Sequence, residues 1–317
     1  MTTLTSQTVR LGTRPSPMAM EQTGRFADAF RTRYPDVALD ICKIISEGDA
    51  HHGPLSQIGG KGAFTRRADE HLLDSRVSAT IACAKDLPSP HDRAPGITVA
   101  AVLPREDARD VLVLPSGHAP TTLAELPPGT RVGTIAPRRA ALLRALYPKL
   151  IPVPIRGNAD RRLARLDDRT LGVDVMIAAL AGLRRLGFAD RVGEILDPTQ
   201  WLPAAGAGIV VIEHRTDDSA TSALLTPLTH PATRILLDAE RSVLAGLEGG
   251  CLTAASAHAM LQDGRVTVHA AVLDPDGGSA LYAEASGPAE QASNVGRAAA
   301  RELLNSGAAR LLAVSRH

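Results

Sequence analysis

From residue 8 onward, short apolar runs of strand character alternate with longer segments of helical spacing, and this alternation restricts the chain to layered α/β folds. A first series places strands at 8–12, 38–45 and 79–83 around helical segments at 18–34 and 64–73, with a glycine-rich turn at 58–62. A second series starts near Ala108. Its strands fall at 111–114, 131–134, 151–154 and 173–179, and its helices at 122–125, 138–147, 160–166 and 183–186. Both series read as layers of parallel strands. A glycine-rich strand is expected at 203–213. Beyond Thr226 the texture changes to a long helix at 231–247, strands at 266–273 and 280–285, and a closing helix at 288–306 whose proline suits a first helical position. That last part reads as an α+β domain.

Composition removes several classes of function. The 317 residues carry 35 Lys+Arg against 34 Asp+Glu, a net charge of +1, so neither a nucleic-acid coat nor a polybasic membrane binder is expected. Aromatic residues are 3%, too few for a base-stacking surface. Cys42, Cys83 and Cys251 are odd in number and contain no CxxC pair, which argues against a disulfide framework and a thiolate zinc site and fits a reducing, cytoplasmic compartment. No apolar signal core opens the chain, and its longest apolar stretch, 175–183, is too short to span a bilayer. Neither export nor membrane insertion is expected.

Arginine dominates what remains. There are four lysines and thirty-one arginines, and Arg138, Arg139, Arg156, Arg161, Arg162, Arg184 and Arg185 recur at strand ends and helix starts. Ligands of doubly wound sheets bind beyond the carboxyl ends of strands, so these positions suit a polycarboxylate or a phosphate. Solvated surface arginine is the alternative for any one of them. The Gly59-Gly60-Lys61-Gly62 loop lacks Walker spacing and reads equally as an anion lid or a plain surface loop. Lys85-Asp86 follow a buried run, where Asp86 is either a carboxylate held ionised by the neighbouring lysine to oppose cationic character in a substrate, or a helix N-cap or ion-pair partner. Cys251 follows Gly249-Gly250, which suits a covalent attachment point, although free cysteine is also among the most buried residue types. Cys42 reads as core, and Cys83 as core or ligand-facing.

Taken in order, LGTRPSPMAMEQ (11–22), SEGD (46–49), GGKGAF (59–64), AKDLPSP (84–90), REDARDVLV (105–113), VGTIAPRR (132–139), IRGNADRRLARLD (155–167), LAGLRRLG (180–187), LPAAGAG (202–208) and LEGGC (247–251) resemble the porphobilinogen deaminase (hydroxymethylbilane synthase) family. The resemblance implies two α/β domains of the periplasmic-binding-protein type with a cleft between them, residues 1–105 with 207–226 and residues 106–206. A smaller α+β domain, 227–317, would follow. It implies a transferase that condenses porphobilinogen stepwise, with loss of ammonia, onto a dipyrromethane cofactor to give a linear tetrapyrrole. By the same resemblance Cys251 is the thioether attachment point and Asp86 the catalytic aspartate. Cys83, Lys85, Arg138, Arg139 and Arg162 fall on cofactor-binding positions, and Arg14, Ser16, Arg156, Arg185 and Lys61 on substrate-binding ones. The expected partner is porphobilinogen alone, bound by a cytoplasmic monomer without metal, membrane or nucleic acid.

The chain departs from the family pattern around these positions. His-Ser-x-Lys-Asp becomes Ala82-Cys83-Ala84-Lys85-Asp86, and Thr-Ser-Ser-Leu-Arg-Arg becomes Thr134-Ile135-Ala136-Pro137-Arg138-Arg139. Gly-Gln-Gly becomes Gly206-Ala207-Gly208, and Gly-Thr-Arg becomes Asp160-Arg161-Arg162. Lost polar contacts are worth about 1 kcal/mol or more each. Three readings follow: an ordinary hydroxymethylbilane synthase, a specialised relative making a shorter oligopyrrole or using a related pyrrole, and a non-catalytic organic-anion binder. Retention of Asp86 and Cys251 argues against the last.

Overall fold

A computed structural model describes residues 8–50, 62–247 and 254–314. The chain divides into two compact units, Met1–Arg105 with Ile209–Arg234, and Glu106–Gly208 with Ile235–His317.

In the first unit β1 (Thr8–Thr13), α1 (Pro17–Arg33), β2 (Ala38–Lys43), α2 (Glu47–Ala50), α3 (Arg66–Leu73), β3 (Ala79–Cys83) and β4 (Ile97–Val102) are joined, after the chain returns, by β10 (Val210–Arg215) and α7 (Ser219–Leu225). The sheet order is β2-β1-β3-β10-β4. β1 pairs in parallel with β2 and β3, whereas β10 runs antiparallel to β3 and β4. Helix α1 starts where Ser16 Oγ accepts from the Ala19 amide with Pro17 in the first turn, and it buries Phe26 and Phe30, one turn apart, against Val9, Leu11 and Ile212.

The second unit repeats that plan. β5 (Asp110–Val113), β6 (Arg131–Gly133), α4 (Pro137–Leu146), β7 (Ile151–Val153), α5 (Ala159–Asp167), β8 (Val175–Ala179), α6 (Leu180–Arg185) and β9 (Val192–Ile195) form a sheet of order β7-β6-β8-β5-β9. Side-chain alternation along β5 sends Leu112 into the core with Leu142 and Trp201, and Val111 and Val113 into the core with Leu163 and Met176. Helices therefore cover both faces. Then α8 (Pro231–Gly246) leads to the antiparallel meander β11 (Ala255–Gln262), β12 (Arg265–Leu273) and β13 (Ala280–Pro288), followed by α9 (Ala292–Asn305) and α10 (Ala308–Val314). The meander has its own core around Ala257, Val266, Val268, Ala299 and Leu303, while Ala271 and Leu273 join the core of the second sheet.

Both five-stranded sheets are mixed, not parallel as the alternation suggests. In each, the antiparallel strand, β5 or β10, is the first one after the chain passes from one unit to the other, so no helical crossover fixes its direction. The expected strand at 203–213 begins only at Val210, because Gly206 and Gly208 take φ of +76° and +77° and turn the chain. Pro288 ends edge strand β13 and does not open a helix; α9 begins at Ala292. Strands β4, β9 and β11 escape the sequence reading. The last, ASAHAMLQ, is alanine-rich and lacks the β-branched residues that mark a strand.

Candidate active site

In the first unit the candidate residues gather at the carboxyl ends of β1 and β3. Strand β1 delivers Arg14, whose Nε and Nη2 donate to both oxygens of Asp49 at 2.8 and 2.5 Å while its guanidinium lies 4.5 Å above the Phe64 ring. Ser46 donates to Asp49 Oδ2 at 2.7 Å. Burial pushes the Asp49 carboxyl up, but the bonds from Arg14 and Ser46 outweigh it and hold it below its ordinary value. Burial likewise pushes Arg14 down, and Asp49 with the more distant Asp86 raises it above its ordinary value. Arg14 therefore remains a full cation. Ser16 is occupied in capping α1, the role its position before Pro17 gives it.

Strand β3 ends at Cys83, whose sulfur accepts from Gln22 Nε2 at 3.1 Å, and a single 3-10 turn, Ala84–Asp86, then carries Lys85 and Asp86. Both side chains are half-buried, and among the described residues neither makes a hydrogen bond or an ion pair. Asp86 is thus neither the helix cap nor the ion-pair partner of its alternative reading; it stands just past a strand end with its oxygens uncommitted. Lys61 and Cys251 lie outside the described residues.

In the second unit the arginines converge on an acid. Asp110, 2% exposed at the start of β5, accepts from Arg138 Nη2 at 2.5 Å, from Arg139 Nε and Nη2 at 3.0 and 2.7 Å, and from Trp201 Nε1 at 3.0 Å. Arg138 Nη1 donates to the Leu202 carbonyl at 2.7 Å, and Arg139 Nη1 to the Ile177 carbonyl at 3.2 Å. Burial alone would raise the Asp110 carboxyl, but the two guanidiniums hold it far below the usual carboxylate range. One carboxylate balances two cations, so a positive charge is left over.

Arg162 adds to that surplus. It lies on the first turn of α5, and burial, with Arg139 as a like charge, pushes it down to about 10, opposed by Asp160. Three atoms around this turn, Arg156 Nη1, Asp160 Oδ1 and Arg162 Nε, are buried without a hydrogen-bond partner. Buried polar groups are ordinarily paired, so two orphaned guanidinium nitrogens beside surplus charge are what a ligand bearing carboxylates would satisfy. The acetate and propionate side chains of a dipyrromethane would meet the two guanidinium nitrogens, whereas Asp160 Oδ1 needs a hydrogen-bond donor.

Arg185 is committed differently. Its side chain is 5% exposed and donates from Nε to Glu106 Oε1 at 3.0 Å and from Nη2 to the Gly208 carbonyl at 3.5 Å, anchoring the glycine turn. Arg184 pairs with Asp107, which Arg109 also grips. Sequence reasoning missed Asp49, Glu106 and Asp110. All three stand inside the SEGD and REDARDVLV stretches; for Glu106 and Asp110 the acids beside Arg105 and Arg109 were the available signal, whereas SEGD holds no arginine to mark Asp49. Among the described residues no group of three or more His, Cys, Asp or Glu is placed to hold a metal ion, and no helix is long and apolar enough to cross a membrane.

Comparison with known proteins agrees with this chemistry. The family model for porphobilinogen deaminase, dipyromethane cofactor binding domain, matches residues 9–223, and that for the porphobilinogen deaminase C-terminal domain matches residues 235–305. A porphobilinogen deaminase of Chromobacterium violaceum is 41% identical over 304 residues, 96% of either chain. One from Syntrophobacter fumaroxidans is 38% identical over 310 residues, 98% of either chain. Among solved structures, the periplasmic aliphatic sulphonate binding protein SsuA of Escherichia coli aligns with a TM-score of 0.42 and 14% identity, covering 77% of this chain and 71% of that one.

Proposed function

The chain belongs to the porphobilinogen deaminase family, a family of transferases with a dipyrromethane cofactor, and on that premise we propose which of its residues carry the reaction. Asp86 is the catalytic carboxylate. With its oxygens uncommitted at the end of β3, it opposes the positive charge that develops on the pyrrole nitrogen as the amino group of porphobilinogen leaves as ammonia and the methylene carbon stays on the ring. Lys85, on the same turn, and Arg14, tied to Asp49, supply fixed positive charge for substrate carboxylates.

The observation that carries the reading is the cationic surplus around Asp110. Arg138 and Arg139 outnumber it two to one, and Arg156 Nη1 and Arg162 Nε wait without partners. These four arginines hold the cofactor and substrate carboxylates. Arg185 acts as a positioning residue through Glu106 and Gly208, and Ser16 through the start of α1. Residues 227–317 form the domain that holds the dipyrromethane through Cys251. When bound, that group supplies the nucleophilic carbon on which the product is built. The protein acts as a cytoplasmic monomer with no nucleic-acid partner.

One observation favours a second reading, a specialised relative with a shorter product. Ile135, where the family carries a hydroxyl, is 41% exposed beside the arginines of α4, so an apolar side chain faces solvent where polar contacts are expected. The test is to incubate the purified protein with porphobilinogen and read the products by chromatography with mass detection, with tetrapyrrole scored as uroporphyrin after oxidation. Tetrapyrrole release supports the ordinary enzyme and shorter oligopyrroles the specialised one. No consumption contradicts both.

A further inference from the structure

In the second unit the Leu202 carbonyl accepts from two residues that are distant in sequence, Arg138 Nη1 at 2.7 Å and Ser256 Oγ at 3.2 Å. Arg138 opens α4, and its Nη2 is held by Asp110. Ser256 is the second residue of β11, is fully buried, and stands five positions after Cys251 in the sequence. One carbonyl oxygen thus joins an arginine that meets the cofactor carboxylates to the strand that follows the attachment cysteine.

Packing does not ask for a hydroxyl at this position. Strand β11 reads ASAHAMLQ, with Ala255, Ala257 and Ala259 buried around Ser256, and an alanine would fill the same space without a polar atom to desolvate. What the hydroxyl adds is direction. Ala254, Ala271 and Leu273 lie in one core with Leu142, Trp201 and Leu202, and such apolar contact is non-directional, whereas a hydrogen bond fixes one register. Trp201, beside Leu202, donates its indole N–H to Asp110 at 3.0 Å, so adjacent residues hold both members of the Arg138–Asp110 pair. The buried Glu240 carboxylate accepts from the Gly206 amide at 2.6 Å and from the Ala259 amide at 2.7 Å. The 202–206 segment is therefore pinned to β11 twice, at Ser256 and, through Glu240, at Ala259.

We propose that Ser256 is a positioning residue for Arg138. By sharing the Leu202 carbonyl with the guanidinium, it fixes the register between β11 and the arginine that meets the acid groups of the dipyrromethane and of the chain grown on it. The inference deepens the function proposed above and rests on it. A covalently tethered chain cannot move its anchor to correct an error in that register, so the error reaches the reacting end at each addition. Free porphobilinogen has no tether. Loss of the hydroxyl should therefore slow addition more than it weakens binding of substrate.

The test compares the parent with Ser256→Ala and Ser256→Thr. Porphobilinogen turnover is counted per dipyrromethane-loaded molecule, read from intact mass, so unfolded or unloaded protein does not enter the rate. Ser256→Ala should melt within a few degrees of the parent, yet its kcat should fall about tenfold while KM for porphobilinogen stays within about twofold. Ser256→Thr keeps the hydroxyl and should recover most of the lost kcat. A folded Ser256→Ala that fails to load while Ser256→Thr loads supports the same role. A lower melting midpoint with unchanged kcat in loaded Ser256→Ala makes the serine structural and overturns the proposal, as does a rise in KM at constant kcat. An equal loss of kcat in both variants assigns the effect to side-chain volume and overturns it too. If the parent itself carries no dipyrromethane and consumes no porphobilinogen, the deaminase reading falls and this inference with it; a loaded, active parent beside an unaffected Ser256→Ala removes this inference alone.

Discussion

Arg138 reaches Asp110 with a 2.5 Å hydrogen bond inside the second unit, and both side chains are 5% exposed or less. A buried carboxylate with two guanidiniums and an indole N–H around it is a fixed frame, and it sets how the neighbouring arginines present their remaining charge. The first prediction follows from removing its centre. Asp110→Ala leaves two buried cations uncompensated and should destabilise the protein by about 3–5 kcal/mol, read as a fall in the midpoint of denaturant unfolding. A loss below about 1 kcal/mol would show that solvent already screens the cluster.

The pH dependence of that frame has a definite sign. Burial would raise Asp110, but Arg138 and Arg139 depress it below its unfolded value, so its contribution is present above the unfolded carboxylate range and is lost as pH falls toward its depressed native value. Unfolding free energies measured from pH 6 to pH 2 should fall less steeply in Asp110→Asn than in the parent. Parallel curves would contradict the assignment.

Asp69 has the opposite sign. Its native pKa, pushed up to about 7 by burial and by Glu213, lies above that of an unfolded aspartate, so its contribution is fully present below about pH 4 and is lost as pH rises through 7. Asp69→Asn should be more stable than the parent at pH 8, by up to a few kcal/mol, and the advantage should vanish near pH 4. Equal stability at both pH values would place the Asp69 carboxyl in solvent.

Asp86→Asn keeps the shape of the side chain and removes its charge. Unfolding should be unchanged, because among the described residues Asp86 holds nothing, while porphobilinogen turnover should drop by about 10²–10³-fold. Near-normal turnover in a stable variant would return Asp86 to a structural role.

The departures at Cys83, Ile135 and Ala136 make a further claim. Restoring all three to serine adds donors beside Gln22 and at the start of α4, and should lengthen the released oligopyrrole or speed cofactor assembly. If the parent already releases tetrapyrrole at a rate the triple change does not alter, the three substitutions are neutral.

Much of the fold was legible because its signals are local. Apolar runs gave β1, β3, β5 and β8, and apolar spacing placed α1 to within a residue of its start at Pro17. Strand direction was not, since nothing in the residues of β10 says whether it enters from a crossover helix or from the other unit. At the candidate site the arginines could be found by their position at strand ends, but their engagement could not. Asp110 stands 28 positions before Arg138, and only folding shows that one carboxylate holds two guanidiniums. Longer separations in sequence, 79 and 120 positions, hid Glu106 from Arg185 and Glu213 from Arg93.

The central claim, that this chain builds an oligopyrrole covalently on its C-terminal domain, is tested most directly by mass spectrometry of the protein supplied with porphobilinogen. Intact mass should show a dipyrromethane adduct with further pyrrole increments, and peptide mapping should place it on Cys251. The same series on Cys251→Ser should be absent while the fold persists. An unmodified Cys251 in freshly purified, porphobilinogen-supplied protein would contradict the account.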